Sequence, residues 1–259
     1  MGRRTGHILR NAKYANMQVK KRFQLDQIHR ILIIRTGPLG ETILTTPVIR
    51  ALRDRFPQAH ITYMVAPGRE ELVSANPDLN EVMTYQRSVP KQIYSMMKRS
   101  FQMAVVLQAT FRLVLHTFLA RIPFRVGFET NSGGRRLLHV AVPNNIDQHE
   151  TARYLDVVRG LGIEPDDDEP EMCIDESTQK WTDEFLTNAG VDIKRPLIGL
   201  NPGAGSTYRR WAKERFAKVG DLLHKTYGAQ ICITAGRREG TLPQEVADLM
   251  SCSPIIISD

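Results

Sequence analysis

Four consecutive large aliphatic residues, Ile31 to Ile34, limit what this sequence can fold into more than any other stretch. An unbroken run of this kind is a strand covered on both faces, which places it inside a parallel sheet. Thr36-Gly37-Pro38-Leu39-Gly40 follows, and its two glycines and proline form a turn. From Glu41 onward Ile43, Leu44, Val48, Ile49 and Leu52 recur at helical spacing until Phe56-Pro57 closes the helix. The unit is a strand, a tight turn and a helix with one carboxylate in its first turn. Ligands of open α/β sheets bind at the carboxyl ends of the strands, where this turn lies. A helix N-terminus favours an ionised carboxylate there, the state that a general base requires.

The alternation continues. Strands are expected at 61–65, 82–85, 104–107, 124–127 and 137–142, with helices at 69–75, 90–99, 111–120 and 149–161, the last stopped by Gly162. That spacing predicts a doubly wound parallel sheet. Gly162 to Glu171 is acidic, proline-rich and almost without apolar residues, which marks a linker, and its Asp166–Asp168 cluster reads as solvated rather than metal-binding. Beyond it come a helix at 176–189, a strand at 196–200, a helix at 211–227, a strand at 230–234, a helix at 242–250 and a strand at 255–257. The fold class is therefore α/β with three parts: a basic arm over 1–29, a Rossmann-like domain over 30–170 and a partial one over 171–259. Three strands leave a sheet edge uncovered, so the second domain is expected to belong to a longer protein or to be completed by something else.

Charge is unevenly placed. Residues 1–30 hold eight Lys/Arg and one acid, while the remaining residues balance 27 bases against 27 acids, so the net charge of +7 belongs to the arm. Such an arm suits anionic lipid headgroups or nucleic acid. It lacks the apolar centre of a secretory signal, and the apolar region Met103 to Phe128 is too often interrupted by charge to span a bilayer. A neutral body without an aromatic-studded basic face argues against nucleic acid as a partner. Cys173, Cys232 and Cys252 are odd in number and far apart, which fits neither a disulfide framework nor a zinc site.

Negative results narrow the chemistry. Gly37 and Gly40 give only G-x-x-G, no ribose-binding acid follows the second strand, and there is no P-loop and no G-x-S-x-G elbow. The turn Asn201 to Trp211 is more informative. Gly203 and Gly205 let backbone N–H groups approach an anion, Ser206 and Thr207 add hydroxyls, and Arg209 and Arg210 add fixed positive charge ahead of a helix. That set suits a diphosphate; a plain loop with exposed arginines is the other reading. Gly236 with Arg237-Arg238-Glu239 forms the next turn on the same sheet edge, where Glu239 can accept from ribose hydroxyls.

Leu39-Gly40-Glu41-Thr42-Ile43-Leu44-Thr45-Thr46-Pro47, then Arg50-Ala51-Leu52 and Phe56-Pro57, resembles the N-terminal signature of glycosyltransferase family 9, the ADP-heptose–lipopolysaccharide heptosyltransferases. The likeness continues through Val105-Val106-Leu107-Gln108, Arg125-Val126-Gly127-Phe128 and the helix around Arg153-Tyr154-Leu155-Asp156. It reaches Asn201-Pro202-Gly203-Ala204-Gly205 with Arg209-Arg210-Trp211, in colinear order. The sequence departs from the pattern in three places. The family's catalytic acid, normally Asp, is Glu41; its phosphate-binding lysine is matched by Arg209; its later Asp-Thr-Gly…His segment has no counterpart, so the resemblance is to a family member truncated at its carboxyl end.

The resemblance implies a GT-B fold and inverting, metal-independent transfer of a heptose or related sugar from a nucleotide-diphosphate donor to the lipopolysaccharide core. It assigns Glu41 as catalytic base and supports Asn201, Gly203, Gly205, Arg209 and Arg210 as nucleotide-sugar residues, to which the reading of the turns themselves adds Ser206, Thr207, Gly236 and Glu239. Thr36, Gly40, Arg87, Lys91 and Arg125 are the candidates for the acceptor, a lipid-anchored oligosaccharide. No metal and no cofactor is expected. The enzyme is expected to be a cytoplasmic monomer, peripheral at the inner face of the inner membrane through its basic arm. The alternative is a catalytically inactive remnant or binding module.

Overall fold

The computed structural model describes residues 25–130 and 133–258. Most of the basic arm lies outside the described residues. Its last part belongs to the body: Leu25 and Ile28 are buried in the first core, so the arm is shorter than the expected 1–29.

The protein separates into two compact units, the first ending at Ile174 and the second beginning at Asp175. The first contains six strands: β1 (Arg30–Arg35), β2 (His60–Val65), β3 (Glu81–Thr84), β4 (Met103–Val106), β5 (Phe124–Phe128) and β6 (Val140–Val142). All pair in parallel, in the order β3-β2-β1-β4-β5-β6. Side chains alternate between the faces of a strand. Ile31 and Ile33 therefore enter one core and Leu32 and Ile34 the other, all four without exposed surface. Burial of these four contributes at most roughly 6–12 kcal/mol.

The helices are α1 (Leu39–Ile43), α2 (Thr46–Arg55), α3 (Glu71–Ser74), α4 (Val89–Lys98), α5 (Phe111–Leu119) and α6 (Glu150–Arg159). α2 supplies Val48, Ile49 and Leu52, and α6 supplies Tyr154, Leu155 and Val158, to the core on the Ile31 face. α4 and α5 cover the Leu32 face with Met96, Leu113 and Val114.

The single helix expected after Gly40 is two. Pro47 has no N–H to offer the carbonyl four residues back. Hydroxyls take over instead: Thr46 Oγ1 donates to the Ile43 carbonyl at 2.9 Å and Thr45 Oγ1 to that of Thr42 at 2.7 Å. Glu41 consequently sits on a five-residue helix, and the aligned dipole of a long helix does not act on it.

The acidic segment also differs from the expected solvated linker. Arg50 binds it, donating to Glu171 at 3.2 Å, to the Glu169 carbonyl at 2.9 Å and to Asp167. The Glu171 N–H donates to Thr46 Oγ1 at 2.9 Å. Residues 167–171 therefore belong to the first unit.

The second unit contains α7 (Glu176–Asn188), β7 (Leu197–Leu200), α8 (Lys213–Tyr227), β8 (Gln230–Ala235), α9 (Leu242–Ala247) and β9 (Ile255–Ser258). Its three parallel strands run in the order β7-β8-β9. Asp175 caps α7 by accepting from the Thr178 N–H at 2.8 Å. Gly228, with φ +64, ends α8 in the left-handed conformation that a side chain would strain. The core is small, built from Leu200, Ala217, Ile231, Ile233 and Val246 among others, and α7 has no buried residue. Among the described residues no helix is long and apolar enough to cross a membrane.

Candidate active site

The strand order of the first unit reverses between β1 and β4, and in doubly wound sheets the ligand crevice lies at the carboxyl ends of such a pair. The two turns that leave β1 and β4 are tied to each other there. The Thr36 N–H and hydroxyl both donate to Gln108 Oε1, at 3.2 and 2.9 Å. Thr36 was an expected site residue. Gln108 entered the sequence reading only as part of the resemblance, and nothing in the sequence shows that residues 36 and 108 meet.

Glu41 lies on α1, which follows the same turn out of β1. Its carboxylate forms an ion pair with Arg35, the last residue of β1, whose side chain is buried. The Arg35 guanidinium also lies 5.4 Å from the centre of the Tyr154 ring. Charge compensation for Glu41 thus comes from a strand-end arginine and not, as the sequence suggested, from a helix terminus. The pair passes directly over Gly37. A Cβ at that position would lie 2.5 Å from Glu41 Oε2 and 2.8 Å from Arg35 Cζ, so any side chain there would displace the ends of these two. Beneath, Tyr63 and Thr45 share a buried 2.5 Å hydrogen bond. Burial pushes the Tyr63 hydroxyl above the ordinary tyrosine range, and it does the same to Tyr154, so both are neutral supports.

The other acceptor candidates are not gathered equally. Gly40 is at the same turn, with open space where a Cβ would be. Arg87 follows β3 and Lys91 starts α4, so both are on the carboxyl edge but two strands from β1, about 10 Å across the sheet. Arg125 is not brought to the crevice. It is the second residue of β5, at the amino edge, paired in register with Ala104. Its guanidinium is buried and donates to the carbonyls of Leu137 (2.7 Å) and Ile122, which makes it a structural clamp.

In the second unit, the turns after β7 and β8 lie side by side. A Cβ on Gly203 would meet Glu239 Cγ at 2.7 Å and Oε1 at 2.8 Å, so the Glu239 carboxylate rests against the Gly203 backbone. Gly236 is in the same contact, 3.3 Å from Glu239 Oε2 by the same measure. The first turn is shaped by Asn201, whose Oδ1 accepts from the Gly203 N–H at 3.1 Å. A 3-10 turn over Thr207–Arg209 follows, and it leaves Thr207, Arg209 and Arg210 exposed and Gly205 open. Ser206, immediately before it, is half-buried.

Three residues of the second unit escaped the sequence reading. Lys213, at the start of α8, donates to Glu245 on α9 at 2.8 Å, and Thr241 donates to the same carboxylate at 2.6 Å. The Lys213 partnership holds Glu245 below the usual carboxylate range and raises Lys213 in turn. A lysine opening the helix after an anion-suited turn was the available signal.

A profile of glycosyltransferase family 9 (heptosyltransferase) matches residues 91–254, more than half of the sequence. The chain belongs to that family. Among curated relatives, lipopolysaccharide core heptosyltransferase OpsX of Haemophilus influenzae is 18% identical over 236 residues, covering 88% of this chain and 67% of that protein. Lipooligosaccharide heptosyltransferase 2 of Haemophilus ducreyi is 22% identical, covering 84% and 66%. Lipopolysaccharide heptosyltransferase 3 of Escherichia coli is 25% identical, covering 76% and 60%. This family 9 protein thus spans 60 to 67% of the length of these relatives.

Solved structures show the same fold. The family 9 glycosyl transferase of Veillonella parvula superposes with a TM-score of 0.80 at 22% identity, covering 91% of this chain and 70% of that one. The ADP-heptose lipopolysaccharide heptosyltransferase II of Escherichia coli gives 0.71 at 22% identity, covering 86% and 69%. The family 9 fold here is of the GT-B type, with two Rossmann-like units, the second represented by three strands.

Proposed function

We propose that this protein carries the machinery for moving a heptose, or a related sugar, from a nucleotide-diphosphate donor to a hydroxyl of the lipopolysaccharide core, with inversion and without a metal. The observation that carries this reading is the Glu41 carboxylate, fixed at the strand-order reversal by Arg35 and accompanied there by Thr36 and Gln108. Glu41 accepts the proton of the acceptor hydroxyl while its oxygen attacks the anomeric carbon. The bond from that carbon to the diphosphate oxygen breaks, and the nucleoside diphosphate leaves with the electron pair. Its growing charge is met by Arg209 and Arg210, the Ser206 and Thr207 hydroxyls and the open backbone at Gly205. Arginine supplies fixed charge and a phosphate-matched fork, so no cation is required in that role. Arg35 remains in place throughout and holds the carboxylate to one geometry.

The exposed second sheet supports a second reading, a binding module without turnover. β7 is largely exposed along its length and α7 has no buried residue. One experiment separates the two. The purified protein is incubated with ADP-heptose and a truncated core acceptor, with and without EDTA, beside Glu41→Gln. Transfer by the wild type in both buffers, lost in Glu41→Gln while ADP still binds, is the expected result. Equal turnover by both proteins removes Glu41 from the role, and ADP binding with no turnover by either leaves the binding module. The anomeric configuration of the product, read by NMR, tests inversion.

A further inference from the structure

The neutrality of the body conceals a local imbalance. From Val82 to Phe128 the sequence holds seven Lys/Arg and no acid. These 47 residues include both helices that cover the Leu32 face of the first sheet. α4 and α5 pack side by side, and the 134–137 turn against α5 adds Arg135 and Arg136. Glu81 and Glu129 reach this layer, where Arg99 engages the first at 2.6 Å and Arg135 the second at 2.8 Å. Lys98, Arg112 and Arg121 are all exposed.

The outward surface of these helices is also unusually apolar. α5 buries Leu113, Val114 and Thr117 against the sheet, yet its opposite side presents Phe111, Phe118 and Leu119 to solvent, Phe118 at 46% and Leu119 at 45% exposure. A helix that is apolar all round is ordinarily buried all round. α4 adds Met97 and Tyr94, the latter 69% exposed. At the end of α5, Arg121 takes a left-handed turn, φ +59, beside an open recess of about 450 Å³ walled by Phe118, Leu119 and the buried Arg125.

We infer that the outer face of α4 and α5 is a docking surface for an anionic lipid bilayer. Aliphatic and aromatic side chains on the face enter the acyl boundary, and the exposed Lys98, Arg112 and Arg121 meet headgroup phosphates. Phe111, Phe118 and Tyr94 can also stack on bases, whereas Leu119 and Met97 cannot, and a bilayer uses all five. The inference rests on charge and apolar exposure alone and does not depend on the proposed transfer.

The test is flotation of the 259-residue protein, arm included, with vesicles of zwitterionic phosphatidylcholine alone or mixed with anionic phosphatidylglycerol. Two variants probe the face separately: Lys98→Gln/Arg112→Gln/Arg121→Gln, and Phe118→Ser/Leu119→Ser. All five positions are exposed, and unchanged circular dichroism and melting establish that each variant folds. A cation at an anionic surface is worth about fivefold in partitioning, so the charge variant loses more than tenfold binding to anionic vesicles. The apolar variant loses at least as much, and raised salt weakens the wild type towards the charge variant. Wild-type affinity in either variant overturns the inference, because the arm then accounts for binding. So does equal affinity for both vesicle types, or an RNA oligomer whose binding falls in the charge variant but not in the apolar one. Self-association relieved by the apolar variant, without vesicle binding, assigns the face to a second copy and overturns it as well.

Discussion

Replacing Gly37 with alanine isolates the positioning of Glu41 from its chemistry. The backbone at 37 is in a region open to any residue, so alanine introduces no φ strain. By restricting the unfolded state it is expected to add about 0.4–1 kcal/mol of stability. The new methyl group, however, falls 2.5 Å from Glu41 Oε2, where ordinary contact begins near 3.4 Å. The carboxylate must retreat by about 0.9 Å, or the Arg35 guanidinium, 2.8 Å from the same point, must swing off its place near Tyr154. A shift of about an ångström in a reacting group costs on the order of 10²-fold in rate. The assay is the initial rate of sugar transfer at saturating donor, beside a thermal melt. The expected outcome is a rate about a hundredfold lower with the melting temperature unchanged or slightly raised and ADP affinity intact. Gly40→Ala, whose methyl group enters open space, keeps the Arg35–Glu41 pair in place. A Gly37→Ala protein that transfers at the wild-type rate would refute the claim that the position of this carboxylate matters.

The remaining predictions concern the supports. Arg35→Met removes one partner of a largely buried ion pair and is expected to cost about 1–3 kcal/mol in urea unfolding, Glu41 being partly solvated; no change in midpoint contradicts the pairing. Gly203→Ala pushes Glu239 off the neighbouring turn and should weaken ADP binding about tenfold by calorimetry, the loss of one hydrogen bond's worth of contact, while transfer-independent properties stay constant. Leu52→Ala empties a fully buried site in the first core and is expected to destabilise by about 2–5 kcal/mol. Glu81 is held below the usual carboxylate range chiefly by its hydrogen bonds from Arg99. A carboxylate depressed in the folded state stabilises fully above its unfolded value, about pH 4.3, and loses that contribution as pH falls through the folded value. The stability gap between the wild type and Glu81→Gln should therefore narrow from pH 6 to pH 3; a constant gap contradicts it.

Much of the fold was legible because parallel sheets write themselves as apolar runs. Ile31–Ile34 and Met103–Val106 are buried on both faces and could be little else. The break at Thr45 was visible in principle, since Pro47 stands inside the helical pattern, but the threonine hydroxyls that rescue the carbonyls are a matter of rotamer. Charge arithmetic misled where it was averaged over the body, hiding the acid-free layer of α4 and α5. The site was legible in its parts and not in its assembly. Glu41 and Thr36 became candidates through a strand-end turn, whereas the Arg35 pairing depends on how that turn folds back across Gly37. Arg125 failed because its place within β5 decides which sheet edge it serves, and a shift of three residues in a strand moves a side chain about 10 Å. Lys213 was passed over in favour of the arginines before it.

The bridge from Thr36 to Gln108 has a bearing on how the molecule comes into being. Its two ends are separated by 72 positions, and β2, β3 and their helices lie between them. No local nucleus can form it, because β4 must first dock beside β1, and closures of that length are slow. A nascent polypeptide emerging from the ribosome therefore carries Thr36 and Glu41 long before Gln108 arrives to fasten their turn.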